Sequence, residues 1–282
     1  MKILITGSSG YVGKSFIEAY KAKYEFCKFS LLNKPLEGLC LDGIDVVLHC
    51  AALVHQVKEK SFQEYYNVNV KYPVSLAKEA KKSGVKQFIF ISTVSVYGEG
   101  KAIVTEETVC NPSTAYGKSK YMAEVELKKL EGDNFVVSII RPPMVYGANA
   151  PGNMGALINL VDRVRIIPLG NIVNERSFVN IKNLLHLIDC VIENGKSGLF
   201  LACDDEAVGT SKLIELIAKV LGKKVTLISL PLFKKMLKVI RPSMHESLYG
   251  SFQVNDDFTK KELNYKNKIG VEEGIRLMVK GK

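Results

Sequence analysis

Residues 1–21, MKILITGSSGYVGKSFIEAYK, decide the fold. An apolar, β-branched run at 2–6 gives way to three glycines, Gly7, Gly10 and Gly13, and a helical pattern over 11–21 follows at once. Strand, glycine turn and helix in that order let backbone amides approach a pyrophosphate at the positive end of the helix. Gly7, Ser9, Gly10, Tyr11, Val12 and Gly13 are therefore the first candidate cofactor-binding residues. The competing reading is a glycine-rich turn with no ligand, which leaves the order of the three elements to coincidence. Taken alone, the fingerprint implies a dinucleotide and says nothing about a reaction.

Outward from this unit the pattern repeats. Strand-like runs at 25–31, 45–50, 87–92, 135–140 and 198–203 alternate with helical stretches at 61–83, 115–130 and 181–193, which predicts an α/β protein with a Rossmann-type, doubly wound parallel sheet. Only a short segment separates the second and third runs, so any strand between them is confined to about 38–41. From Pro142 onward, prolines and glycines break the pattern and a helix-rich tail follows Asp204. The expected division is a dinucleotide-binding domain over 1–143, to which 177–203 returns, and a small C-terminal substrate-binding lobe built from 144–176 and 204–282.

Composition narrows the function classes. The 282 residues are 47% hydrophobic, enough for one substantial core. The first residues lack an apolar run long enough for a signal segment or a membrane span, so a cytoplasmic enzyme with no membrane partner is expected. Six cysteines lie scattered without C-x-x-C spacing and read as free thiols, with no metal site. A net charge of +10 favours an acidic ligand. The lysines are mixed with glutamates along helical stretches such as ELKKLEG, which argues against nucleic acid and for a small phosphate-bearing molecule.

An acid that reads the adenosine ribose is expected about 20 residues past the fingerprint. Ser30, Leu31 and Leu32 stand there instead, followed by Asn33 and Lys34, which tilts the cofactor toward NADP over NAD and makes Ser30 the candidate contact. Farther along, A-Y-G-K-S-K-Y places Tyr116 and Lys120 four apart, on one helix face, where an ammonium can favour the phenolate of its neighbour. Such a pair is common by chance on surface helices. Its company gives it weight: F-I-F-I-S-T-V-S-V-Y-G puts Ser92, Thr93 and Ser95 at the carboxyl edge of the sheet, where ligands of such folds bind. His49 reads as a core residue in an apolar strand and His55 as a residue of the cleft.

The glycine fingerprint, H-C-A-A, S-T-V-S-V-Y-G, Y-G-K-S-K and R-P-P-M-V-Y-G occur in the order seen in the extended short-chain dehydrogenase/reductases, the NAD-dependent epimerase/dehydratase family, and the chain resembles that family over nearly its whole length. The resemblance implies Thr93, Tyr116 and Lys120 as the catalytic residues, with Tyr116 the acid/base and Lys120 also a contact to the nicotinamide ribose. It implies Ala51 and Ala52 as the loop along the cofactor, Pro143 as the proline before the substrate loop, and Asn153, Arg176 and Arg241 as contacts to a nucleotide-diphosphate sugar. The alternative for Arg176 is a surface ion pair.

Family members that dehydrate a sugar carry Asp-Glu after the threonine, where this chain has Val94 and Ser95. The expectation is reduction of the C4 ketone of a UDP-linked 6-deoxy-hexosamine, similar to enzymes of bacterial surface polysaccharide biosynthesis. The alternatives are a UDP-sugar C4-epimerase and a non-catalytic NADP-binding scaffold. The resemblance further implies a homodimer formed through the helices at 61–83 and 115–130.

Overall fold

The apolar runs pair into a six-stranded, wholly parallel sheet in a computed structural model that describes residues 1–30, 36, 39–54, 60–100 and 102–281. Its strands are β1 (Lys2–Thr6), β2 (Glu25–Phe29), β3 (Val46–His49), β4 (Gln87–Ile91), β5 (Val136–Arg141) and β6 (Gly198–Leu201), in the spatial order β6-β5-β4-β3-β1-β2. Alternation along each strand feeds two cores. Ile3, Ile5 and Ile89 pack under the helices Tyr11–Tyr20 and Ile181–Asn194, whereas Leu4, Phe88 and Phe90 pack on the opposite face under Tyr72–Lys82 and Ala115–Lys128. A parallel sheet covered on both faces must be apolar at odd and even positions alike.

The strand expected within 38–41 is not found. Gly38 lies outside the described residues, and 39–41 carry no strand. Leu41 and Ile44 are instead buried in the second core, closed by Ile44 N donating to Leu41 O at 3.1 Å. The short segment is used to fill space beneath the sheet, and β2 becomes its edge among the described residues.

The helical stretch at 61–83 is also not uniform. Ser61 and Glu64 form a reciprocal capping box at its start, and a π-helical turn, Asn67–Lys71, separates Phe62–Tyr66 from Tyr72–Lys82. Pro73 has no N–H to give to a carbonyl one turn back, and the wider turn accommodates that loss, with Tyr72 N reaching Asn67 O. The bulge turns Asn69 into the interior.

A third core joins Tyr146, Met154 and Ile158 to Leu213, Ile217, Ile275 and Met278, and so packs the segment after β5 against the C-terminal helices. Asp204, just beyond β6, ties it to the sheet: its carboxylate accepts from Tyr146 Oη at 2.6 Å, Asn180 N at 2.9 Å and Asn183 Nδ2 at 2.8 Å.

The helix Ala115–Lys128 is held on the sheet by buried charge. Arg141, the last residue of β5, donates through Nε to Glu124 Oε1 at 3.0 Å and through Nη2 to Oε2, Ser92 donates to the same carboxylate, and the guanidinium lies 4.8 Å from the Tyr97 ring centroid. Glu124→Leu should destabilise the protein by about 3–5 kcal/mol, because Arg141 is left as an uncompensated buried charge, and adding Arg141→Met should restore most of that loss. Equilibrium denaturation of the two single variants and the double variant checks this, and strictly additive losses would show that the pair is not coupled.

Candidate active site

Every residue at the carboxyl edge of the sheet is positioned by the strand before it. Gly7 follows β1 with φ +69°, and a Cβ there would stand 2.6 Å from Ala51 N, so only glycine lets the fingerprint turn lie against the loop after β3. Gly13 faces the same turn, and a Cβ on it would come 2.3 Å from Gly7 O. Gly10 caps the helix Tyr11–Tyr20 with no side-chain bond, which leaves the N–H groups of its first turn, Tyr11 and Val12 among them, for a ligand. Ser9 is exposed on the turn, whereas the side chains of Tyr11 and Val12 pack against the first core; these two residues offer a ligand their backbone only.

The loop after β3 is fixed by a polar chain that the sequence did not announce. Thr6 Oγ1 lies 3.0 Å from His49 Nδ1 and accepts from Ala51 N at 3.4 Å. Asn69, turned inward by the π turn, holds Leu53 from both sides, accepting from Leu53 N at 2.8 Å and donating to Leu53 O at 2.9 Å, and also donates to Ser119 Oγ at 3.0 Å. Ser119 in turn donates to Tyr116 O at 2.8 Å. One asparagine thus links the loop of Ala51 and Ala52 to the helix that carries Tyr116 and Lys120. The sequence signal was the proline in N-V-N-V-K-Y-P, which forces the irregular turn.

Thr93 and Tyr116 are brought together. Thr93 caps the short turn Val94–Tyr97, accepting from Ser95 N and donating to Ser95 Oγ, both at 3.1 Å. Gly117 allows the Ala115–Lys128 helix to rest on that turn, since a Cβ there would stand 2.6 Å from Ser95 O. The Tyr116 phenol faces the Thr93 side chain, and burial pushes its pKa up to about 12, with Thr93 acting in the opposite direction. Ser92 takes no part at this edge: it is buried against Glu124, because its side chain points to the opposite face from Thr93.

Lys120 shares the helix face with Tyr116, but its Nζ sits 3.8 Å from the centroid of the Phe90 ring, buried and without a hydrogen-bond partner. Burial lowers its pKa to about 7, with Glu124 and Cys50 opposing. The expected ammonium beside the phenol is therefore not what sets Tyr116 here; Thr93 is its polar partner. His49 is fully buried between Phe88 and Phe90, and burial drops its pKa to about 3, which makes it a neutral core residue. An orphaned amine at the mouth of a glycine cradle fits a dinucleotide whose sugar hydroxyls it would bond.

The remaining candidates are dispersed. Pro143 is buried after β5, where Pro142 O accepts from Val94 N at 3.1 Å. Ser30 is exposed at the end of β2. Leu31, Leu32, Asn33, Lys34 and His55 lie outside the described residues. Arg176 is half-buried and donates through Nη1 to Glu246 O and Gly250 O, each at 3.1 Å; among the described residues it forms no salt bridge, although the Glu246 carboxylate favours its charge against burial. Asn153 is exposed at the first position of the helix Asn153–Arg163, and Arg241 is exposed at the junction of Pro231–Ile240 with Pro242–Tyr249. No hydrogen bond among the described residues joins these three.

Two expectations follow from this geometry. Gly117→Ala should lift the helix from Ser95, leaving dinucleotide affinity within a few fold while lowering turnover by at least ~10-fold through misplacement of the phenol; steady-state kinetics beside a cofactor titration checks it. The second concerns stability against pH. Between about 7 and 10.5 the unfolded chain binds a proton on Lys120 that the folded chain does not, so the cost of burying this lysine is full below about pH 7 and fades as pH rises through that window. Lys120→Met should therefore melt above the parent protein near neutral pH, with a margin that shrinks toward pH 10.5. A margin constant across the series would contradict the burial argument.

Comparison with known proteins agrees with this architecture. Residues 3–200 match the sequence model of the NAD dependent epimerase/dehydratase family. A Vibrio cholerae protein described as UDP-glucose 4-epimerase is 33% identical, over 97% of this chain and 93% of its own. An Escherichia coli dTDP-4-dehydro-6-deoxyglucose reductase is 26% identical, over 80% and 83% respectively. The UDP-glucuronic acid 4-epimerase of Bacillus cereus, solved in complex with NAD, superposes with a TM-score of 0.81 at 22% identity, covering 100% of this chain and 98% of that one. With the glycine cradle, the Thr93 and Tyr116 pair and the buried lysine in one place, the chain belongs to the NAD-dependent epimerase/dehydratase family.

Proposed function

We propose that this protein reduces the C4 ketone of a UDP-linked 6-deoxy-hexosamine, with NADPH or NADH as the reductant, in the making of a surface polysaccharide. The observation that carries the reading is the Tyr116 phenol, set with Thr93 at the carboxyl edge of the sheet and held protonated by burial. Reduction of a ketone needs a proton donor in place before the chemistry starts.

Gly7, Gly10 and Gly13 would cradle the pyrophosphate, Ala51 and Ala52 would border the cofactor, Pro143 would end the cleft, and Lys120 would bond the nicotinamide ribose. A reduced nicotinamide, when bound, supplies the hydride to C4. Tyr116 gives its proton to the ketone oxygen as that oxygen gains charge, which yields the alcohol, and Thr93 orients the same oxygen from the other side. The phenolate recovers its proton from solvent. Arg176, cationic and within no salt bridge among the described residues, is suited to the diphosphate of the sugar, with Asn153 and Arg241 closing on it from the lobe formed by the third core. Phe62, Met122 and Val125 stand exposed on the two helices expected to form the homodimer, which favours that assembly.

A second reading, reversible C4 epimerisation, is favoured by the Vibrio cholerae relative. The two differ in what happens to the nicotinamide. A reductase consumes one reduced nicotinamide per sugar and must release the oxidised form, whereas an epimerase returns its hydride and can retain its cofactor. Purified protein should oxidise added NADPH or NADH stoichiometrically when given a UDP-4-keto-6-deoxy-N-acetylhexosamine, and Tyr116→Phe should lower that turnover by at least ~100-fold while keeping cofactor affinity within a few fold. Interconversion of UDP-glucose and UDP-galactose with no net nicotinamide consumption would replace the reductase with the epimerase, and near-normal turnover of the phenylalanine variant would remove Tyr116 as the proton donor.

A further inference from the structure

The helix Pro231–Ile240 uses only half of its apolar surface for folding. Phe233 and Leu237 face inward, the former against the third core. Leu232, Met236, Val239 and Ile240 recur at i, i+4, i+7 and i+8, which places them on one face. That face is open: Leu232 is 80% exposed, Val239 81% and Ile240 68%. Val173, 97% exposed, sits beside its start, where it borders the same cleft as Leu230 and Lys234, and Met244 continues the apolar surface into the next helix. Scattered exposed apolar residues need no explanation, but a contiguous stripe at helical spacing does.

The charge around the stripe is of one sign. Between Glu215 and Glu246 the chain carries seven lysines and arginines and no aspartate or glutamate. Lys235 and Lys238 follow the open face along one side, Lys234 lies with its Nζ 5.1 Å from the Tyr249 ring centroid, and among the described residues no salt bridge engages any of the three. On other helices some lysines are paired, as are Lys82 with Glu79 and Lys129 with Glu126. Along this helix a basic border without acids lies beside open apolar side chains.

We infer that this helix is an interfacial seat for an anionic phospholipid bilayer, into which Leu232, Met236, Val239 and Ile240 insert while the lysines bond the headgroups. A helix that lies in the interface needs an apolar face and a cationic border, not the length of a span, and lysine stems can reach outward from such a helix to the phosphates. Charge complementarity selects this occupant over a second copy of the chain, since a two-fold contact through this face would bring the same lysines against one another. The inference does not depend on which C4 reaction the enzyme performs.

The test is co-sedimentation of the purified full chain with vesicles of phosphatidylcholine alone and with added phosphatidylglycerol. Partition onto the anionic vesicles should exceed that onto neutral ones by at least ~10-fold at low ionic strength and fall as salt is raised. Leu232→Ser, Val239→Ser and Ile240→Ser together should lower partition by ~10-fold or more, and Lys235→Glu with Lys238→Glu should do the same, while the thermal midpoint and dinucleotide affinity stay at the parent values. Equal partition of parent and variants would overturn the inference. So would absence of vesicle binding accompanied by self-association that the serine variant abolishes, which would assign the face to a second copy.

Discussion

The buried pair of Glu124 and Arg141 is the constraint on which the active centre depends. It joins the middle of the helix that carries Tyr116 and Lys120 to the carboxyl end of β5, and Ser92, at the end of β4, donates to the same carboxylate. Two neighbouring strands and one helix are thereby locked in register at the edge where the ligand cleft opens. A buried ion pair is a poor source of stability compared with apolar packing of the same volume. Its effect here is geometric, because a bidentate carboxylate and guanidinium tolerate little sliding. Glu124 also lies one helical turn beyond Lys120 and is the foremost group that favours that lysine's charge against burial.

Around this lock, glycines bring backbone to backbone at two places. Gly7 lets the fingerprint turn touch the loop of Ala51, and Gly117 lets the Tyr116 helix touch the turn that follows Thr93. In both, a helix N-terminal region meets a loop at the carboxyl edge of the sheet, and any side chain would hold the two apart. The polar groups that survive in this dense region are mostly neutral. Burial keeps the His49 ring and the Tyr116 phenol uncharged and brings Lys120 close to neutrality at physiological pH. A centre of this kind responds strongly to any charge introduced into it, since little solvent is present to screen it.

The C-terminal helices obey a different economy. Their inward face completes the third core with Leu213, Ile217, Ile275 and Met278, and the outward face of Pro231–Ile240 combines open apolar side chains with unopposed lysines. The same chain thus builds two kinds of surface. Under the sheet the Glu124 and Arg141 charges are paired internally, whereas the helix Pro231–Ile240 leaves its outward face to be covered by something else.

The sequence by itself determined the parts that depend on local order. Strand, three glycines and helix at 2–20 specify the cradle because Gly7 and Gly13 are each required by a close backbone contact. The six parallel strands were legible from continuous apolar runs. Tertiary structure alone decided what rests on groups far apart in sequence. Asn69 became the link between two loops because Pro73 widened its turn, Ser92 was drawn inward by Glu124, and Leu41 filled the core in place of forming an edge strand. The state of Lys120 was set in the same way. Spacing along a helix shows which residue is its neighbour, but the desolvation that brings its pKa to about 7 comes from Phe90 and the packed sheet beneath, which no local pattern records.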